Sequence, residues 1–188
     1  MKRSIFWLVI LIMIAGATYI YEKDLFSNGL EAITVSTNGK KLPIYRVNTD
    51  KPVVALSFDA AWGNEDIPQI LKILKQENVK ATFFFCGDWI SKYPADIKTI
   101  YEEGHDIASH GDHHKYMTKL TDKQQQEEIQ GVTQKIQGLL GIKIDLFRAP
   151  YGDYNESVVR NARKMNYYMI QWLSLIHISE PTRLLSIS

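Results

Sequence analysis

The stretch VVALSFDAAWGNEDIPQILKILKQENVKATFFF, residues 53–85, contains two apolar runs separated by a segment of helical periodicity. Residues 53–58 and 81–85 are interpreted as buried strands, because each is a short, continuous run of apolar residues. Between them, apolar residues recur at the spacing of one helix face: Ile67, Ile70, Leu71 and Leu74. A strand, a helix and a second apolar strand in succession are typical of a parallel α/β sheet.

The same alternation continues to residue 172. Thr121-Asp122-Lys123-Gln124 has the spacing of a capping box and predicts the start of a long amphipathic helix. Further strands are predicted at 106–109, 146–147 and 167–172, and further helices at 96–103 and 156–164. The chain is therefore expected to form one α/β domain over residues 51–172, with functional groups at the carboxyl ends of its strands.

Three polar motifs each follow a predicted strand. Asp59 follows the first strand, the run Ser109-His110-Gly111-Asp112-His113-His114 follows the third, and Arg148 follows the fourth. Two imidazoles can bind a metal, a carboxylate can activate water, and a guanidinium can orient that carboxylate. A pair of histidines four residues apart is by itself more typical of a protein surface, so the prediction depends on all three motifs meeting at one edge.

Composition argues against a nucleic-acid-binding protein and against a cysteine-dependent enzyme. The chain has 188 residues, is 45% hydrophobic and carries a formal net charge of +1, so it can bury a core and has no basic footprint for nucleic acid. No protein partner is predicted. The single cysteine, Cys86, follows an apolar run and is interpreted as a core residue rather than a nucleophile.

The N-terminus predicts membrane attachment. Residues 1–4 include Lys2 and Arg3, and the uncharged run 5–21 that follows is interpreted as an uncleaved signal-anchor, with a cleaved signal peptide as the alternative. Residues 22–50 are interpreted as a stalk with a short hairpin. The rest of the chain is thus expected outside the cytoplasm, either anchored in the cell membrane by one span or secreted.

The C-terminus changes character after Trp172. Residues 173–183, LSLIHISEPTR, resemble an in-frame translation of a sequencing adapter over all eleven positions. The alternative is an ordinary final strand and loop. Residues 173–188 are therefore predicted to be a non-native tail, and His177 is left out of the candidate site although it follows an apolar run.

The motifs together resemble those of the NodB-homology polysaccharide deacetylases, carbohydrate esterase family 4. The resemblance is carried by Ser57-Phe58-Asp59-Ala60-Ala61-Trp62-Gly63, by the histidine run and by Arg148-Ala149-Pro150-Tyr151-Gly152. The form of the first motif is most similar to the sporulation-associated, PdaB-like subgroup. The resemblance implies a distorted (β/α) barrel, here C-terminally truncated, and an N-deacetylase of a cell-wall polysaccharide, most simply peptidoglycan.

The resemblance also implies roles for the site residues. His110 and His114 would bind a divalent metal, most simply zinc, Asp59 would act as general base, and Arg148 would pair with it. The backbone N–H of Tyr151 would stabilise the oxyanion. Pro150 and Trp172 would line the acetyl pocket and contact the substrate. His105 and His113 are interpreted as structural or peripheral.

The chain departs from the family pattern in three ways. Ala60 stands where the family commonly has a second aspartate, so that water, Asp59 or Asp112 would have to complete a metal site. Gly111 replaces the usual Ser or Thr of the histidine motif. The two last family motifs, which include the general acid, are absent after Trp172, and the 188-residue chain is itself expected to be inactive.

Two other functions remain open at this point. A non-catalytic glycan-binding protein of the cell envelope is favoured by Ala60. An amidase acting on a small non-sugar amide is the third possibility, because related folds hydrolyse other C–N bonds.

Overall fold

The structure is a computed structural model that describes residues 42–173. The predicted signal-anchor, the hairpin signal of the stalk and the tail from residue 174 lie outside the described residues. Within 42–173, none of the helices combines the length and the apolar character needed to cross a bilayer.

Five parallel strands form a single sheet in the order β1-β2-β3-β4-β5. Their bounds are Ser57–Ala60 (β1), Thr82–Phe85 (β2), Asp106–Ser109 (β3), Leu146–Phe147 (β4) and Tyr168–Met169 (β5). Each strand pairs with the next one along the chain, which is the strand order of a (β/α) barrel. The predicted parallel α/β fold is confirmed.

The helices connect these strands. They are Ile67–Gln76 (α1), Gly87–Lys92 (α2), Pro94–Glu102 (α3), Asp122–Leu140 (α4) and Glu156–Lys164 (α5). The capping box before α4 is present: the Thr121 hydroxyl accepts from the Gln124 N–H, and the Gln124 side chain accepts from the Thr121 N–H. The short helix α2 was not predicted, because only part of its sequence is apolar.

The first predicted strand is wrong at its beginning. Val53 and Val54 are exposed, and the ladder starts only where the N–H of Thr82 donates to the carbonyl of Leu56. As a result, β1 covers Ser57–Ala60 and Asp59 lies within the strand rather than after it. The last predicted strand, 167–172, is likewise reduced to the two residues of β5.

The structure describes only the last residues of the predicted stalk, and there it differs from the prediction. Ile44 forms a parallel bridge with Ile170, and its N–H donates to the carbonyl of Met169 at 2.8 Å. This part of residues 22–50 therefore adds to the edge of the sheet beside β5.

The apolar side chains form two clusters. The larger contains Phe83, Phe85 and Trp89 with α1, α3 and α4, and the smaller packs Phe147 and Met169 against α5. Cys86 is buried in the larger cluster, and burial raises the pKa of its thiol. A thiol held in its protonated form is a poor nucleophile, in agreement with a core role.

Candidate active site

The strand ends bring a carboxylate and a guanidinium together at one edge of the sheet. Arg148, directly after β4, donates from Nη1 to Oδ1 of Asp59 at 2.6 Å and from Nη2 to the hydroxyl of Ser57 at 2.9 Å. The guanidinium is buried and its Cζ lies 3.9 Å from the ring centroid of Phe84. The guanidinium of Arg148 is thus fixed by side chains of β1 and β2, and it orients the Asp59 carboxylate.

His110 is the buried imidazole of the site. Its Nδ1–H donates to the carbonyl of Arg148 at 2.9 Å, and this bond leaves Nε2 free, 3.9 Å from Oδ2 of Asp59. Burial lowers the pKa of His110 to about 4, although the Asp59 carboxylate acts in the opposite direction. The ring is therefore neutral at physiological pH, which is the form that binds metals.

His114 completes the pair. Its ring centroid is 5.2 Å from that of His110, and it lies half-buried with a backbone φ of 50°. Desolvation lowers the pKa of His114 as well, again opposed by Asp59. The left-handed backbone is unfavourable for a histidine, and it turns this ring toward His110 instead of along the loop.

A buried glutamate holds the loop that carries the two histidines. Glu128 of α4 accepts from the N–H of His113 at 2.8 Å through Oε2, and Oε1 pairs with Nζ of Lys115 at 2.8 Å. The two contacts flank His114 on both sides along the chain. Sequence reasoning missed Glu128, because a glutamate in an amphipathic helix normally faces solvent.

Asp112, one of the three candidates from the sequence to complete a metal site, supports the same loop from the other side. Its carboxylate pairs with Nζ of Lys135 at 2.5 Å and with Nε2 of His113 at 3.2 Å. It fits there only because the facing backbone positions, Gly87 and Gly131, lack a side chain: a Cβ at either would lie within 3 Å of the carboxylate. The carboxylate of Asp112 is therefore engaged in holding the loop.

The two remaining histidines, His105 and His113, form their hydrogen bonds with residues other than Asp59 and His110. The His113 ring contacts Asp88 through Nδ1 at 2.9 Å, while His105 is buried and its Nδ1 accepts from the N–H of Ala81. Both placements agree with the structural or peripheral interpretation from the sequence.

The turn after Arg148 forms the wall of the site. Tyr151 has a φ of 60°, and its ring lies edge-on to His114 with 4.4 Å between centroids. Pro150 is buried against Gly111, and the ring of Trp172 lies close to Gly152 and 5.7 Å from Cζ of Arg148. All residues predicted for the site thus lie close together at one edge of the sheet.

The donor set fits a divalent metal in part. Two neutral imidazoles, one of them fixed by a hydrogen bond through its other nitrogen, would supply two of the three protein ligands that catalytic zinc commonly uses. Over residues 42–173, however, no group of three or more His, Cys, Asp or Glu side chains is placed to hold an ion. Ala60 supplies no ligand, and Asp59 is the carboxylate nearest to the pair.

Comparison with known proteins finds a matching family and several similar proteins. The family model described as polysaccharide deacetylase matches residues 46–170. The chain is 33% identical over 151 residues to the uncharacterised protein YlxY of Bacillus subtilis, covering 80% of this chain and 47% of YlxY. It is 32% identical to the peptidoglycan-N-acetylmuramic acid deacetylase PdaA of the same organism, over 68% of this chain and 49% of that protein.

Solved structures show the same relationship. The crystal structure of BA3943, a CE4 family pseudoenzyme from Bacillus anthracis, superposes with a TM-score of 0.67 at 33% identity, covering 70% of this chain and 47% of that one. A BA3943 mutant with restored enzymatic activity superposes equally well, at 34% identity. The chain spans about half the length of the curated relatives it matches.

Proposed function

The chain belongs to the polysaccharide deacetylase family, and on that basis we propose that the protein removes N-acetyl groups from a cell-wall glycan, most simply peptidoglycan. The observation that carries the proposal is the placement of Asp59, bound to Arg148, 3.9 Å from the free nitrogen of His110. A carboxylate, its orienting cation and two neutral imidazoles at one opening suit hydrolysis of an amide.

Asp59 acts as the general base. Its Oδ1 is held by Arg148, so that Oδ2, on the side of His110, is the oxygen able to accept a proton from an attacking water. The new C–O bond forms at the acetamide carbon, and the backbone N–H of Tyr151 donates to the developing oxyanion. When the C–N bond breaks, acetate leaves, and the proton taken up by Asp59 is available to the departing nitrogen.

His110 and His114 would hold the divalent metal, with zinc as the ion that best suits two neutral imidazoles. When bound, such an ion supplies Lewis-acid polarisation of the carbonyl and increases the acidity of water. The residues of this chain supply the rest: Arg148 fixes both the base and, through its carbonyl, the ring of His110. Pro150 and Trp172 would exclude water from the acetyl pocket.

Location and subgroup are further parts of the proposal. A signal-anchor at residues 5–21 would place the domain outside the cytoplasm, next to the wall polymer. The sporulation-associated subgroup and the non-native tail from residue 173 remain predictions from the sequence.

The test is acetate release from purified peptidoglycan and from an N-acetylglucosamine pentamer, with and without added zinc. It uses the 188-residue chain and the same chain extended through its natural reading frame. Asp59→Asn is expected to lower the rate by about 10²–10⁴-fold, which is the usual contribution of a general base. Acetate release by the extended chain that is equal for wild type and Asp59→Asn would contradict the proposal.

A second candidate is a non-catalytic glycan-binding protein. Ala60, which offers no ligand, and the similarity to a protein described as a CE4 family pseudoenzyme favour it. Metal analysis separates the two: stoichiometric zinc that is lost in His110→Ala supports the hydrolase. Glycan binding without zinc and without acetate release supports the binding protein.

A further inference from the structure

One carboxylate joins the turn that carries Tyr151 to the loop that carries the histidines. Oδ2 of Asp153 accepts from the N–H of Thr118 at 2.8 Å, and the Thr118 hydroxyl donates to the same carboxylate, 2.9 Å from each oxygen. Both residues are partly buried, and they are 35 positions apart in the chain. Two hydrogen bonds to one charged group fix both its position and its orientation. We call Asp153 and Thr118 the clasp.

The Thr118 end of the clasp is anchored in the core. Thr118 lies in a short 3₁₀ helix whose N-cap residue provides no capping side chain, so that Asp153 satisfies an N–H at the start of this helix. The preceding residue, Met117, is fully buried in the smaller apolar cluster, and its carbonyl accepts from Nε2 of Gln125 at 3.0 Å. The clasp therefore connects the Tyr151 turn to a point that the core holds in place.

The turn itself is closed by two hydrogen bonds around a strained residue. The N–H of Gly152 donates to the carbonyl of Ala149 at 3.1 Å, and the N–H of Asp153 donates to that of Pro150 at 3.0 Å. Between them Tyr151 has a φ of 60° and a ψ of 7°, a left-handed conformation that is unfavourable for a tyrosine. A strained backbone relaxes when one of its ends is released. Loss of the clasp should therefore move the backbone N–H of Tyr151.

The other groups of the site are held independently of the clasp. Asp59 is bound by the guanidinium of Arg148, Nδ1 of His110 donates to the Arg148 carbonyl, and Glu128 accepts from the histidine loop. None of these contacts involves Asp153 or its turn. Removing the clasp should consequently displace the oxyanion donor and leave the general base and the His110 ring where they are.

We infer that Asp153 is a positioning residue, which through Thr118 holds the backbone N–H of Tyr151 where it can donate to the oxyanion. The inference rests on the proposed deacetylase and adds the residue that sets the place of its oxyanion donor. Such a donor acts only at hydrogen-bond distance from the developing charge, and it acts more strongly in the transition state than on the bound substrate. Its displacement therefore lowers kcat more than it changes KM.

The first test is acetate release from the N-acetylglucosamine pentamer by the chain extended through its natural reading frame. Asp153→Ala is expected to lower kcat at least about tenfold, because removing an oxyanion donor altogether costs about 10²–10³-fold and a displaced donor retains part of its effect. The KM and the zinc affinity, measured by chelator competition, should stay close to the wild-type values. Thr118→Ser keeps both hydrogen bonds and should retain the wild-type rate, whereas Thr118→Val loses the bond from the hydroxyl and should be intermediate.

The matched control is Asn155→Ala. Asn155 lies two residues after Asp153, and its Oδ1 caps α5 by accepting from the N–H of Val158 at 3.1 Å, so its loss destabilises the fold without breaking the clasp. A second measurement needs no activity: amide hydrogen exchange of the metal-free 188-residue chain. In Asp153→Ala the Gly152 N–H should exchange at least about tenfold faster than in wild type, while the His110 N–H, bonded to the carbonyl of Phe85, should be unchanged.

The inference is overturned if Asp153→Ala keeps the wild-type kcat, or if Asn155→Ala lowers kcat as much as Asp153→Ala does. Unchanged exchange at Gly152 overturns it as well, because the turn then does not depend on the clasp. If the extended wild-type chain releases no acetate, the proposed enzyme fails and the exchange alone decides whether the clasp holds the turn. Failure of the enzyme and failure of the clasp are thus separate results.

Discussion

Acid pH should destabilise the protein through His110. Its ring is 3% exposed, and burial lowers its pKa from an ordinary 6.5 to about 4. The folded state therefore disfavours the imidazolium, while the unfolded chain binds the proton near pH 6.5. The stabilising contribution is complete above pH 6.5, decreases as the pH falls through this window, and is lost below about 4.

The size of the effect follows from the two pKa values. The difference between 6.5 and about 4 corresponds to about 3 kcal/mol for complete protonation. At pH 5, where the unfolded histidine is nearly all charged and the folded one is not, the loss is about 2 kcal/mol. That is a large fraction of the stability of a small domain, so the loss should be measurable.

The assay is urea unfolding of the metal-free full chain, followed by tryptophan fluorescence in the presence of a chelator at about pH 7.5 and about pH 5. His110→Gln removes the titrating ring, so its loss of stability between the two pH values should be about 2 kcal/mol smaller than that of wild type. His114→Gln is the control: its ring is only partly buried, so it should recover less. Equal losses for wild type and His110→Gln would refute the reasoning.

Three further predictions concern the supports of the site. Gly131→Ala should destabilise the fold, because its Cβ would lie 2.5 Å from Cγ of Asp112. Gly138→Ala in the same helix meets nothing within 4 Å and should stabilise the fold by about 1 kcal/mol. Urea unfolding of the two variants checks that their free energies of unfolding change in opposite directions. Glu128→Ala should cost about 1–3 kcal/mol in unfolding free energy and weaken zinc binding in a chelator competition, because a partly buried N–H of the histidine loop loses its acceptor. Arg148→Lys should lower the rate of acetate release at least about tenfold, since an ammonium cannot reach the carboxylate of Asp59 and the hydroxyl of Ser57 together. An unchanged rate would show that these two simultaneous hydrogen bonds are unnecessary.

The sequence was sufficient for the parts of the fold that depend on local patterns. The capping box at Thr121, the helix over 156–164 and the strand over 106–109 are found where periodicity and caps predict them. The three polar motifs meet, because parallel strands end at one edge and each motif is tied to the end of a strand.

The errors arise where tertiary contacts decide. The run 53–58 is apolar throughout, but only the part beyond Leu56 finds a partner in β2, so that Val53 and Val54 lie in solvent. Ser57 and Glu128 were missed for the same reason. Each has an ordinary residue type for its element, and each becomes part of the site only through a partner 91 or 15 residues away.

The supports around the histidines bear on the choice between a hydrolase and a glycan-binding protein. A glycan-binding surface needs only exposed aromatic rings, such as those of Trp62, Tyr116 and Tyr151. It does not need a buried guanidinium held by Asp59 and Ser57, nor a His110 ring whose Nδ1 is occupied and whose Nε2 is free beside the carboxylate. Burying a charge is unfavourable unless it is paired, and here the charge of Arg148 is paired with Asp59, beside which the His110 ring is fixed. This arrangement favours the proposed hydrolysis. Under that proposal, the missing carboxylate at Ala60 would limit how tightly a metal is held rather than which reaction the site performs.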